Sequence, residues 1–146
     1  MTILLDTNII LDALQERTPF DIEAKDILKG VQEGKFSCLF TANAAADIFY
    51  LYSKARDIKS ANIALDFLLS KFGVVTVTQD DCKAALAFPI DDFEDALVVV
   101  CAQKENVDYI ITRDEKLLQT KSPVKLIAPK DFALGIYLVR PGIGGA

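Results

Sequence analysis

The sequence predicts an α/β protein, a three-layer α/β/α sandwich with helices on both faces of a central parallel sheet. Short apolar strand patterns alternate with helical patterns along the chain, and no Asn-Gly or Asp-Gly dipeptide indicates a hairpin. Strands separated by helices pair in parallel and are covered on both faces. Active sites in such open sheets lie beyond the carboxyl ends of the strands, so functional side chains are expected there.

The first half of the chain contains two strand patterns and four helical patterns. Apolar runs predict buried strands over residues 3–6 and 36–40. Helical periodicity predicts helices over residues 8–15, 19–33, 41–54 and 60–72. Pro19 begins the second of these helices, and Gly34 and Gly73 are expected to end the second and the fourth.

The second half contains three strand patterns. β-branched residues predict a strand over residues 74–77, and apolar runs predict strands over residues 109–112 and 125–127, each followed by a short helical turn. Helices are predicted over residues 79–88, where Pro89 stops the helix, and over residues 92–105. Residues 96–102 are apolar on all sides, which is typical of a helix that is buried on every face.

The length of 146 residues corresponds to about one domain. We expect residues 1–134 to form that domain and residues 135–146 to form a C-terminal tail. In the tail, residues 136–139 read as an edge strand or as a partner-binding segment.

Composition excludes several classes of function. The chain has no histidine, which excludes Ser-His-Asp and Cys-His catalysis, and its three cysteines are too widely spaced for structural zinc. The net charge of −5 argues against binding nucleic acid by broad electrostatics, although a nuclease with its acids in a metal pocket is compatible with it.

The sequence also predicts the compartment. Cys38 and Cys101 read as buried hydrophobic residues of a reducing cytosol. The first apolar run lacks a basic region and contains Asp6, so we do not expect it to be a signal peptide, and no apolar run approaches the length of a membrane-spanning helix. We therefore expect a cytoplasmic protein.

Four aspartates stand in apolar surroundings at separated points of the chain. Asp6 and Asp114 follow strands, Asp47 lies on a largely apolar helix, and Asp95 lies in the first turn of the most buried helix. Buried carboxylates are costly unless a cation compensates them, so these residues predict a divalent-metal pocket. Helix capping is the competing explanation for Asp6 and Asp114, and a solvated surface acid is the competing explanation for Asp47. For the helix at 92–105, we expect Asp92 to cap and Asp95 to reach the pocket.

Three motifs, in this order, resemble those of PIN-domain nucleases and, within them, VapC-like toxin ribonucleases. The motifs are LLDTNIILD at residues 4–12, DFEDAL at residues 92–97 and IITRD at residues 110–114. The resemblance spans residue 1 to about residue 132. It implies a homodimer, an antitoxin encoded alongside, metal-binding roles for Asp6, Asp47, Asp95 and Asp114, and polar roles for Asn8 and Thr112. Asp47 departs from the family, which usually has Glu there.

The acids predict a Mg²⁺- or Mn²⁺-dependent enzyme that acts on phosphate groups, and the resemblance implies that it is an endoribonuclease and the toxin of a type II toxin–antitoxin pair. Residues expected to contact substrate or to support the ligands are Asn8, Asp92, Thr112 and Arg113. A basic rim for RNA is available from Lys54, Arg56, Lys59, Arg113 and Lys116.

Two rival functions come from other classes. A catalytically silent PIN-like module would act by dimerisation, with Tyr50, Tyr52 and Tyr137 as contacts. A phosphoaspartate enzyme or a receiver domain also places acids at strand ends. A phosphoaspartate enzyme has a second acid two residues after the nucleophile, where this chain has Asn8. A receiver domain has neighbouring acids at the first turn and a lysine after a late strand, where this chain has Thr7, Asn8 and Arg113.

Overall fold

The structure is a computed structural model that describes residues 1–134. Its strands are β1 (Thr2–Leu5), β2 (Ser37–Thr41), β3 (Gly73–Val75), β4 (Tyr109–Ile111) and β5 (Lys125–Ile127). Its helices are α1 (Thr7–Leu14), α2 (Asp21–Gln32), α3 (Ala42–Ala55), α4 (Ile58–Lys71), α5 (Gln79–Ala87), α6 (Phe93–Lys104), α7 (Glu115–Leu118) and α8 (Pro129–Leu134). The strands form one parallel sheet in the order β3-β2-β1-β4-β5.

Two hydrophobic cores lie on opposite faces of this sheet. Successive residues of a strand point to opposite faces, so Ile3 and Leu5 pack into one core and Leu4 into the other. The first core contains residues from α1 to α4 and from α8, and the second contains residues from α5, α6 and α7. This arrangement confirms the predicted three-layer α/β/α sandwich.

The strand order reverses next to β1. The chain adds β2 and β3 on one side of β1 and then returns to place β4 on the other side. Leu5 pairs with Ile111, and the backbone N–H of Asp6 donates to the carbonyl oxygen of Ile111 at 3.0 Å. The connections that leave β1 and β4 are therefore neighbours at the switch point, where open α/β sheets place their ligands.

The strand β3 departs from its predicted bounds at both ends. It covers Gly73–Val75 rather than residues 74–77. Gly73 pairs with Leu39, and a Cβ atom at this position would lie 2.5 Å from Leu39 Cδ2. Gly73 therefore allows close packing inside the sheet, a role that its position after a helical pattern did not indicate.

Three further predictions concern the cysteines, the membrane and the tail. Cys38 and Cys101 are buried, as expected, and burial raises the pKa of the Cys101 thiol to about 11. Within residues 1–134, no helix combines the length and apolarity that crossing a membrane requires. The predictions for residues 135–146 lie outside the described residues.

Candidate metal centre

Asp6 occupies the position before α1 without capping that helix. Its side chain makes no capping hydrogen bond and instead accepts a hydrogen bond from the hydroxyl of Thr112 at 2.9 Å. Burial raises the pKa of Asp6, and the hydrogen bond from Thr112 opposes that rise. Capping therefore does not explain this carboxylate.

Thr112 and Asp114 lie in the segment that follows β4. Thr112 is buried, and its hydroxyl oxygen accepts a hydrogen bond from the backbone N–H of Asp114 at 3.1 Å. Asp114 Oδ1 accepts from the backbone N–H of Leu117 at 3.0 Å and so caps α7. Capping accounts for one oxygen of Asp114, and no hydrogen bond within residues 1–134 involves the other.

The start of α6 divides its acids as predicted. Asp92 caps the helix by accepting a hydrogen bond from the backbone N–H of Asp95 at 3.1 Å. The pKa of Asp95 is raised to about 6, first by burial and then by the negative charges of Asp92, Asp6, Asp114 and Glu94. The ionised form of Asp95 therefore lacks compensation in the protein alone.

These side chains share one open cavity of about 370 Å³. It is lined by Asp6, Thr7, Asn8, Asp47, Tyr50, Leu51, Asp92, Glu94, Asp95 and Asp114. Every charged residue in this lining is acidic. The pKa of Glu94 is raised by burial and then by Asp47, Asp92 and Asp6, so the negative charges act on one another across the cavity.

The donor set fits a hard divalent cation. Carboxylate oxygens suit Mg²⁺ and Mn²⁺, and a cation would compensate the charge that raises the pKa of Asp95. Among residues 1–134, no three Asp, Glu, Cys or His side chains lie close enough to hold one ion as they stand. Mg²⁺ keeps several waters when it binds to proteins, so more distant carboxylates can hold it through water.

The basic residues predicted to form a rim lie at different distances from the acidic cavity, and none of them lines it. Arg113 is not among the residues that line the cavity, because its guanidinium donates to Asp12 from Nε at 2.7 Å and from Nη2 at 3.1 Å. Lys116 lines an adjoining cavity of about 140 Å³ that shares Asp92 and Asp95 with the acidic one. Lys54 Nζ lies 5.5 Å from the centroid of the Tyr50 ring.

Sequence reasoning missed several residues of this region. Glu94 belongs to the acidic run around Asp95 but was not counted among the site residues, although it lies in the first turn of α6. Tyr50 and Leu51 follow Asp47 by three and four residues, the spacing of one helix face, which could have placed them at the cavity. Asp12 interrupts the apolar run of α1, and a charged residue in such a run indicates a buried ion pair.

Comparison with known proteins gives the family. A profile described as PIN domain matches residues 2–116, which is most of the chain. The protein belongs to the PIN-domain family. A comparison of this PIN-domain protein with curated proteins found no match.

Solved structures with the same fold include three VapC proteins or VapBC complexes. VapBC2 of Rickettsia felis, bound to a promoter DNA fragment, is 18% identical with a TM-score of 0.64, over 88% of this chain and 98% of that one. VapBC-1 of nontypeable Haemophilus influenzae is 18% identical with a TM-score of 0.65, and the match covers 89% of this chain and 99% of that one. VapC20 of Mycobacterium tuberculosis, a toxin that cleaves the sarcin-ricin loop, is 16% identical with a TM-score of 0.65, over 79% and 92%. At these identities the likeness confirms the predicted PIN-like fold.

Proposed function

We propose that this PIN-domain protein is a Mg²⁺- or Mn²⁺-dependent endoribonuclease. The observation that carries the proposal is the cavity at the switch point between β1 and β4, whose charged residues are all acidic and where the pKa of Asp95 rises to about 6. In this proposal Asp6 and Asp95 bind the metal directly. Asp47 and Asp114 complete the site, directly or through water.

The residues of the chain prepare this site for phosphodiester cleavage. Bound there, a divalent ion supplies an activated water and neutralises negative charge on the phosphoryl oxygens. Thr112 orients the Asp6 carboxylate through the 2.9 Å hydrogen bond from its hydroxyl. Asp92 holds the first turn of α6 through the backbone N–H of Asp95, which fixes where that carboxylate enters the cavity.

RNA would meet one cation and one aromatic ring at the edge of the cavity. Lys116 borders the adjoining cavity, and no ion pair within residues 1–134 uses its ammonium group. Tyr50 lines the acidic cavity and is 60% exposed, so its ring is available for stacking against a base. Lys116 is suited to a phosphate next to the one that is cleaved.

We further propose that the protein is the toxin of a type II toxin–antitoxin pair. The support is the shared fold with proteins whose structures are VapBC complexes. An antitoxin and a second copy of the chain are then its protein partners, and the cytoplasm is its compartment. Copurification with the product of a neighbouring open reading frame tests the antitoxin, and light scattering of the pure protein tests the dimer.

Cleavage of RNA by the purified protein is the direct test of the activity. The unaltered protein is expected to cut RNA with Mg²⁺ or Mn²⁺ and to stop when EDTA is added. Asp95→Asn is expected to be inactive, whereas Asp66→Asn, an exposed aspartate of α4, serves as the matched control and keeps activity. Activity that survives EDTA or Asp95→Asn contradicts the proposal. If the protein neither cleaves RNA nor binds metal, the silent dimerisation module replaces it.

A further inference from the structure

A fully buried carboxylate outside the acidic cavity joins two segments that carry candidate ligands. Asp12 of α1 is 0% exposed and accepts two hydrogen bonds from Arg113, at 2.7 Å from Nε and 3.1 Å from Nη2. Arg113 belongs to the connection between β4 and α7. A buried carboxylate requires a partner of opposite charge, so this pair ties the connection to α1.

The position of Arg113 makes this contact relevant to the cavity. Its neighbours in the chain are Thr112, whose hydroxyl donates to Asp6, and Asp114, which lines the cavity. The guanidinium also lies over the ring of Phe20, 4.1 Å from its centroid. A planar group held by two hydrogen bonds and a ring has little freedom, and it restrains the backbone on either side.

Asp12 is also connected to the segment after β1. Arg17 Nη1 lies 3.7 Å from Asp12 Oδ1 and donates to Asn8 Oδ1 at 3.4 Å. Asn8 lines the acidic cavity. One buried carboxylate is therefore linked to cavity residues that follow both β1 and β4.

We propose that Asp12 and Arg113 are positioning residues that set the separation of Asp6 and Asp114 and thereby the metal affinity of the cavity. The inference rests on the proposed function, since it requires that the cavity bind a divalent cation. Neither residue lines the cavity, so Asp12 acts by holding Arg113, and Arg113 acts through the backbone of residues 112–114 and through its charge, which lowers the pKa of Asp6.

A second ion pair of the molecule provides a matched control. Lys104 Nζ lies 2.6 Å from Asp81 Oδ2 and joins α5 to α6 in the same way. Lys104 is at the opposite end of α6 from Asp95, about 13 Å away along the helix at 1.5 Å per residue. Removing this pair disturbs a comparable contact without touching the segments that follow β1 and β4.

The test measures Mn²⁺ affinity by calorimetry in two double variants. Asp12→Leu/Arg113→Met removes both charges, so no unpaired buried charge remains, and its dissociation constant for Mn²⁺ is expected to rise about 10- to 100-fold. The Mn²⁺ concentration for half-maximal RNA cleavage should rise by the same factor, with the KM for RNA unchanged at saturating Mn²⁺. Asp81→Asn/Lys104→Met is expected to bind Mn²⁺ within about twofold of the unaltered protein.

The outcomes separate this inference from the proposed function. A folded Asp12→Leu/Arg113→Met protein with unchanged Mn²⁺ affinity overturns the inference alone. An unaltered protein that binds no Mn²⁺ and cleaves no RNA rejects the proposed function, and the inference with it. If the double variant has no cooperative unfolding transition, the Mn²⁺ affinity of Arg113→Lys tests the inference instead. Lysine keeps the charge but not the two-point contact, so about tenfold weaker Mn²⁺ binding supports the inference and unchanged binding overturns it.

Discussion

The hydroxyl of Thr112 donates a hydrogen bond to Asp6 at 2.9 Å, and this contact joins the ends of two adjacent parallel strands. The same oxygen accepts from the backbone N–H of Asp114. Thr112 thus connects two of the candidate ligands while remaining buried.

Thr112→Val is expected to weaken Mn²⁺ binding about tenfold and to cost about 1–2 kcal/mol of unfolding free energy. Valine has nearly the same shape but leaves Asp6 and the N–H of Asp114 without their partner. Calorimetric titration with Mn²⁺ and urea unfolding measure the two effects. Thr112→Ser, which keeps the hydroxyl, is the control, and equal Mn²⁺ affinities for the two variants would show that the hydroxyl has no role in metal binding.

Asp95→Asn is expected to stabilise the metal-free protein by roughly 1 kcal/mol, because it removes a charge that burial and four neighbouring carboxylates disfavour. The same change should abolish most of the stabilisation that Mg²⁺ gives the unaltered protein. Melting temperatures with EDTA and with Mg²⁺ test both statements, with Asp66→Asn for comparison. Destabilisation of the metal-free variant would contradict the account of the charge in the cavity.

The stabilisation by Mg²⁺ is expected to increase as the pH rises through about 6. The pKa of Asp95 is raised from 3.8 to about 6 in the folded chain, so folding takes up a proton between these values. The contribution of Asp95 to the stability of the metal-free protein is therefore greatest below pH 3.8 and is lost as the pH rises through about 6.

Metal binding requires the ionised carboxylate of Asp95. Bound Mg²⁺ therefore adds more stability as the pH rises, whereas the metal-free protein loses stability over the same range. The increase in melting temperature on adding Mg²⁺ should be larger at about pH 7.5 than at about pH 5. A set of melting curves across this range measures it. In Asp95→Asn the small increase in melting temperature that remains should depend little on pH, and the same pH dependence as in the unaltered protein would assign the titration to another group.

Arg113→Met is expected to cost about 3 kcal/mol or more of unfolding free energy, because it leaves the buried Asp12 with only the more distant Arg17. The double variant Asp12→Leu/Arg113→Met should recover much of this loss, since it removes the unpaired charge. Denaturant unfolding of both variants and of Asp12→Leu completes a double-mutant cycle. Simple additivity of the two single changes would argue against a coupled pair.

Lys116→Ala is expected to raise the KM for RNA several-fold with little effect on Mn²⁺ affinity, because the side chain borders the adjoining cavity and not the acidic one. Steady-state cleavage at two salt concentrations measures the effect, which should shrink as salt increases. Lys121→Ala, an exposed lysine nearby in the chain, is the comparison. Identical KM values for the two variants would remove Lys116 from the RNA path.

The sequence predicted the layers, and it predicted the helix and strand bounds to within about two residues, because its periodicities are strong. The alternation of strands and helices indicated a parallel sheet, and the apolar run after Asp95 indicated the buried helix α6. The order of the strands was not predictable, because it depends on contacts between distant segments. The adjacency of β1 and β4, which brings Thr112 to Asp6, is therefore known only from the folded structure.

The convergence of the four candidate aspartates was predictable from the sequence, and their metal-binding roles stay a prediction. Asp6, Asp47, Asp95 and Asp114 were selected as acids in apolar surroundings, and all four line one cavity. Arg113 was expected to face substrate, but a sequence does not show that Asp12 is completely buried and takes up its charge. The pairing of Asp12 with Arg113, 101 residues later in the chain, depends on the topology of the sheet, and no local sequence pattern indicates it.

The strand β1 contributes to both hydrophobic cores through alternate side chains, and Asp6 follows it directly. A register slip of one residue in this strand would exchange its partners in both cores and carry Asp6 away from Thr112. Loss of cleavage on heating should therefore coincide with global melting, and partly folded forms of the chain should be enzymatically inert.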